Sequence, residues 1–198
     1  MRSRITMAAA GIFLAVGFGG CSVLTELGSS QQLQPSANQP GPTSAQVVRV
    51  IDGDTIAVAP TSELPATNSA GSEHVVRLLG IDAPEMNKSS GNSPDCGAQE
   101  ATDRLGQLIA GASVTLTFDA SSDHTDRYGR SLAYVETPGA PSVDIALQMV
   151  IDGYAGAWYP RSEPEPERFA SYADALRAAE VSGVGAHGSC GVLGRDQG

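Results

Sequence analysis

Lysine is almost missing from this chain: Lys88 is the only one in 198 residues. The formal net charge is -10 at pH 7, and losing Arg2 and Arg4 would make it more negative still. Such a chain is poorly suited to hold a polyanion by broad phosphate neutralisation, and tight or processive nucleic-acid binding is not expected. It does not exclude a cleft with a local positive field built from arginines. Histidine is limited to His74, His124 and His187, and cysteine to Cys21, Cys96 and Cys190, which argues against a zinc site. A long apolar run is also lacking, since residues 5–18 fall short of the roughly 20 that a spanning helix needs. The length leaves room for one well-buried domain and no second full one.

What is present begins with an export pattern. Arg2 and Arg4 precede the apolar run, no acidic residue appears before Glu26, and Gly19-Gly20 lead into Cys21, so residues 1–20 read as a secretory signal. Phe18-Gly19-Gly20-Cys21 resembles a bacterial lipobox, which would make Cys21 an acylated membrane anchor on an exported, cell-surface protein. Phe18 stands where an aliphatic residue is usual, and a plain cleaved signal with Cys21 incidental is the alternative. Residues 21–45, rich in Gln, Ser, Pro and Gly, read as a flexible tether ahead of a domain over residues 46–185, with residues 186–198 a tail. With Cys21 set aside, Cys96 and Cys190 form an even pair suited to one disulfide outside the cytosol. Closing so long a loop stabilises by on the order of 4 kcal/mol in the chain-entropy picture.

Within the domain, β-branched runs at residues 47–51 and 55–58 flank a tight Asp-Gly turn, and residues 74–81 read as a third strand. Ala98, Ala101, Leu105, Leu108 and Ile109 share one helical face, ended by Gly111. Residues 114–118 and 131–135 alternate as strands. Two more helices are predicted, over 142–152 with Ser142 as N-cap and over 164–182. Five strands with a helix after the third give an α+β chain: an OB-fold-like five-stranded barrel with three helices.

Three charged clusters stand out. Asp52-Gly53-Asp54-Thr55 can aim carboxylate oxygens at a hard cation, although an ordinary hairpin turn has the same composition. In residues 77–85 strand alternation puts Arg77, Leu79 and Ile81 on one face, with Asp82 and Glu85 at the exit. A half-buried arginine needs an anion, either a ligand or a structural carboxylate. Asp126-Arg127-Tyr128-Gly129-Arg130 is a charged turn entering a strand, which is also what a solvated loop looks like.

Taken in order, DGDT, RLLGIDAPE and DRYGR resemble the staphylococcal nuclease family over residues 46–182. The resemblance implies a monomeric, Ca2+-dependent nuclease cutting DNA and RNA, single strands preferred, at the P–O5′ bond to leave 3′-phosphates. It implies Asp54, Asp82 and the Ala83 carbonyl as metal ligands, and Glu85 as the carboxylate acting on the attacking water. Arg77 and Arg130 are implied as the phosphate-gripping pair, Asp52 and Thr55 as supporting groups, and Tyr128 as a nucleotide contact. Trp158 and Tyr159 match a base-stacking platform or a cover over the core. His187 reads as structural or incidental. A non-catalytic binding module is the alternative function, and a wall-spacer lipoprotein a third.

Overall fold

The computed structural model describes residues 40–65, 70–86, 93–191 and 193. The predicted signal, Cys21 and nearly all of the tether lie outside them. Strand β1 (Thr43–Val50) begins inside the stretch read as tether, because Thr43, Ala45 and Val47 alternate inward with Ser44, Gln46 and Val48 outward. A register shift between Val47 and Arg49 marks a bulge. Strand β1 pairs antiparallel with β2 (Thr55–Pro60), and β2 with β3 (His74–Leu78).

The predicted third strand is shorter than expected and is followed by a separate piece. After Leu78 the chain turns at Leu79-Gly80, with Gly80 at φ +87, and β4 (Ile81–Asp82) starts a small ribbon. A Cβ on Gly80 would also meet the Tyr172 ring at 2.9 Å, so both φ and space require glycine. The one-face arrangement of Arg77, Leu79 and Ile81 is therefore broken by this turn.

Helix α1 (Ala98–Ile109) buries Ala98, Ala101, Leu105 and Ile109, as its periodicity predicts. Strands β5 (Ser113–Thr117) and β6 (Ser131–Glu136) follow; β6 pairs antiparallel with β5 and parallel with β3, and β5 returns to β1. The result is a closed barrel in the order β1-β2-β3-β6-β5, the five-stranded arrangement expected. Its core holds Ile56, Val58, Val76, Leu78, Val114, Leu116, Ala133 and Val135.

Helix α2 (Ile145–Ile151) is capped by Asp144, whose Oδ1 accepts from Leu147 N at 3.1 Å; Ser142 is not the cap. The strand direction persists past β6, with Thr137 N bonded to Val143 O, and helix begins only beyond it. Strand β7 (Gly156–Ala157) pairs with β4. Helix α3 (Phe169–Ser182) starts later than expected, since Pro164 and Pro166 bias the residues before them away from helical φ and ψ. A short α4 (His187–Cys190) and a buried Leu193 make part of the predicted tail an ordered, packed segment. Cys96 and Cys190 are joined, as predicted, across 94 residues.

Candidate active site

Strand register brings the distant motifs to one place. Thr55 stands opposite Arg77 across β2 and β3, and Arg77 opposite Leu132 across β3 and β6. The aspartates before Thr55 and the arginine before Ser131 thus meet at one end of the barrel. Gly53 permits this approach, because a Cβ there would lie 2.7 Å from the Cβ atoms of both Ala83 and Ala101.

Arg77 is 6% exposed and spans two carboxylates. Its Nη1 lies 2.5 Å from Asp54 Oδ1, and its Nη2 donates to Asp82 Oδ1 at 2.7 Å and to Ile81 O at 3.2 Å. The structural carboxylate partner raised for Arg77 is thus present twice over. Asp54 Oδ1 also accepts from Thr55 Oγ1 at 2.9 Å, and Oδ2 from Ala83 N at 3.0 Å. Burial opposes the guanidinium charge, but Asp54 and Asp82 outweigh it and hold the proton more firmly than usual.

The remaining acids are crowded. Asp52 Oδ1 accepts from Asp54 N at 3.2 Å, and burial followed by the charge of Asp54 pushes the Asp52 carboxyl up to about 6. Glu85 reaches solvent, yet the protein packed around it and then the charge of Asp54 raise its carboxyl, while Arg77 and Arg130 pull the other way. A carboxyl raised on folding stabilises the fold below its ordinary value of 3.8, and that contribution is lost as pH climbs through about 6. In calcium-free buffer Asp52→Asn, which keeps an acceptor for Asp54 N without the charge, is expected to raise Tm above about pH 7 and to change it little below about pH 4. Thermal melts at the two ends of that window check this; an equal shift at both ends contradicts it.

On the neighbouring turn Asp126 does work that the sequence reading did not assign to it. Its Oδ1 accepts from the backbone N–H groups of Tyr128 at 2.9 Å and Arg130 at 3.0 Å, and Oδ2 accepts from Arg130 Nε at 2.6 Å. Burial would raise this carboxyl, but the bonds from Arg130 and Tyr128 hold it below its usual range. The terminal nitrogens of Arg130 make no further hydrogen bond among the described residues. Tyr128 is 67% exposed, with the Arg127 and Arg130 guanidinium carbons 4.8 and 5.4 Å from its ring centroid. An Asp followed by turn residues was the available signal.

Arg77, Arg130, Tyr128, Trp158 and Tyr159 line a cavity of about 660 Å³, whereas Asp52, Asp54, Asp82, Ala83 and Glu85 are not part of its lining. Trp158 is brought there by its backbone N–H, which bonds Gly80 O at 2.9 Å beyond the β4–β7 ribbon. Tyr159 packs edge-on against Phe169 at 4.6 Å. Asp119, also unassigned from sequence, ties the two sides of the cavity. Its buried carboxylate accepts from Ser121 N and Ser122 N on one side, from Glu167 N on the other, and from Tyr134 Oη between them. His187 is buried, with Nδ1 3.1 Å from Gly191 O, in keeping with a structural role.

The donor set suits a hard divalent cation. Asp54, Asp82 and the Ala83 carbonyl offer oxygen only, and such a cation would offset the negative charge of Asp54 that, after burial, helps to raise Asp52 and Glu85. No group of three or more His, Cys, Asp or Glu side chains among the described residues is arranged to hold a metal alone, so a bound cation would need backbone and solvent oxygens as well.

A profile of staphylococcal nuclease homologues matches residues 75–185. An uncharacterized endonuclease of Escherichia coli O157:H7 is 35% identical over 99 residues, 50% of this chain and 52% of that protein. A thermonuclease of Staphylococcus hyicus is 37% identical over 90 residues, 46% of each chain. Endonuclease YncB of Bacillus subtilis (strain 168) is 30% identical over 128 residues, 65% of this chain and 56% of that protein. The chain spans about half the length of the curated relatives it matches. With the profile covering more than half of its residues, the chain belongs to the staphylococcal nuclease homologue family.

Proposed function

We propose that the protein is an exported, calcium-dependent nuclease that hydrolyses phosphodiester bonds of DNA and RNA, with 3′-phosphate products and a preference for single strands. The observation that carries this reading is the Asp54–Arg77–Asp82 cluster beside a cavity that Arg77 shares with Arg130 and three aromatic rings. Family membership and the endonuclease and thermonuclease names of the relatives agree with it.

Asp54, Asp82 and the Ala83 carbonyl would hold Ca2+, which when bound polarises a phosphoryl oxygen and offsets negative charge. Arg130, its Nε held by Asp126, offers its outer nitrogens to a phosphate, and Arg77 supplies positive charge from the buried side. Glu85, with its affinity for protons raised by burial and Asp54, takes the proton of the attacking water. Tyr128 touches the phosphate backbone. Trp158 and Tyr159 stack bases, worth about 1–3 kcal/mol per base. The disulfide fits an extracytoplasmic protein. A signal over residues 1–20, acylation of Cys21 and a monomeric state complete the proposal.

The purified protein is expected to cut single-stranded DNA in calcium and to stop when a chelator is added. Binding in calcium with no cleavage would instead make it a non-catalytic nucleic-acid module.

A further inference from the structure

Glu85 follows Pro84 on irregular backbone, outside any helix or strand, and its position is set by a residue ten places later. Asp95 Oδ2 accepts from Glu85 N at 3.1 Å, and Asp95 N donates to Glu85 O at 3.0 Å. Both backbone polar groups of Glu85 therefore end on one partner. With the N–H and C=O fixed, the direction of the Cα–Cβ bond is fixed, and with it the reach of the carboxylate.

Asp95 is itself held from behind. Its carbonyl accepts from Ala98 N at 3.1 Å, at the start of α1, and the next residue, Cys96, is bonded to Cys190 at the end of α4. Gly97 sits at φ +84 between them. The space its missing Cβ would fill is ringed by Ala186 Cβ at 2.9 Å, Cys190 Sγ at 3.5 Å and Pro84 Cγ at 3.7 Å. The bridge, α4 and the Pro84-Glu85 step thus pack around a single glycine.

We propose that Asp95 is a positioning residue for Glu85, and that the Cys96–Cys190 bridge keeps Asp95 in place. This rests on the reading of Glu85 as the proton acceptor in phosphodiester hydrolysis. Asp95 touches no substrate in this scheme; it acts through the Glu85 backbone. A covalent tie is suited to the task because the α1 N-cap position, Gly97, has no side chain with which to bond the first turn.

The test compares Asp95→Ala, Asp95→Asn and the double change Cys96→Ser, Cys190→Ser with the wild type on a single-stranded oligonucleotide in calcium, together with hydrogen exchange at the Glu85 amide. Asp95→Ala should lower kcat on the order of 10²-fold while KM moves by no more than about two-fold, because a displaced base slows the chemical step and leaves binding alone. Asp95→Asn should restore most of kcat, since its amide oxygen accepts the same bond. The double serine variant should fall between, with the Glu85 amide exchanging faster than in the wild type. An unchanged kcat in Asp95→Ala, an equal loss in Asp95→Ala and Asp95→Asn, or a loss confined to KM overturns the proposal. Should Asp95→Ala not fold, the double serine variant decides: wild-type kcat together with wild-type exchange at Glu85 overturns it. Should the wild type itself fail to cut, the nuclease reading fails first. Amide exchange then judges the positioning role alone, with no acceleration in Asp95→Ala overturning that as well.

Discussion

Arg77→Met is expected to destabilise the fold by about 3–5 kcal/mol in calcium-free buffer, and to abolish cleavage, because it leaves two buried carboxylates without their counter-ion. Asp54 and Asp82 are each 2% exposed, and both pair with the one guanidinium. Asp52 and Glu85 add negative charge nearby, which aggravates the loss of the guanidinium. Arg77→Lys should rescue little, since one ammonium on a flexible stem cannot reproduce a planar fork that meets two carboxylates at once. Adding Asp54→Asn and Asp82→Asn to Arg77→Met should recover part of the stability and none of the activity, which separates the loss of folding from the loss of chemistry. Denaturant titration with and without calcium measures this. A loss below about 1 kcal/mol, the range of exposed ion pairs, would show that the cluster does not behave as buried charge.

The barrel was legible because each strand announces itself locally. The β-branched run at the start of the domain, the Asp-Gly turn and the apolar face of α1 are short-range patterns, and five such strands around one helix leave few closed arrangements. Elements defined by tertiary partners were not legible. The β4–β7 ribbon exists because Gly80 reverses the chain, and Asp144 rather than Ser142 caps α2 because backbone pairing with β6 continues through Val143. The same division holds at the site. Asp54, Arg77 and Asp82 could be named from motif order, and strand register then brings them together. That Arg77 would bind both aspartates was open in the sequence, since only the folded distances distinguish a ligand-facing arginine from a paired one. Asp95, Asp119 and Asp126 went unassigned because each accepts from backbone N–H groups, which every residue other than proline carries and no motif marks.

Glu85→Gln should lower kcat by about 10²- to 10⁴-fold, the usual contribution of a general base, and leave folding stability within about 0.5 kcal/mol of wild type. The two halves of this expectation have different causes. Glu85 is exposed and its backbone is held by Asp95, so glutamine can occupy the same place without opening a cavity or stranding a partner. What glutamine cannot do is accept a proton. A general base acts only when unprotonated, so the wild-type rate should climb with pH across the acid range as the Glu85 carboxyl ionises. This acidic limb should vanish from the residual rate of Glu85→Gln. The stability sign runs opposite to the rate: a raised carboxyl favours the fold below 4.5 and loses that contribution as pH rises through the folded value, so in calcium-free buffer removing the charge should not weaken the protein at neutral pH. Pre-steady-state cleavage across the acid range, paired with melts of both proteins, reads rate and stability separately. A variant that keeps the acidic limb, or that retains more than about a tenth of wild-type kcat, would move the base elsewhere in the Asp52, Asp54 and Asp82 cluster.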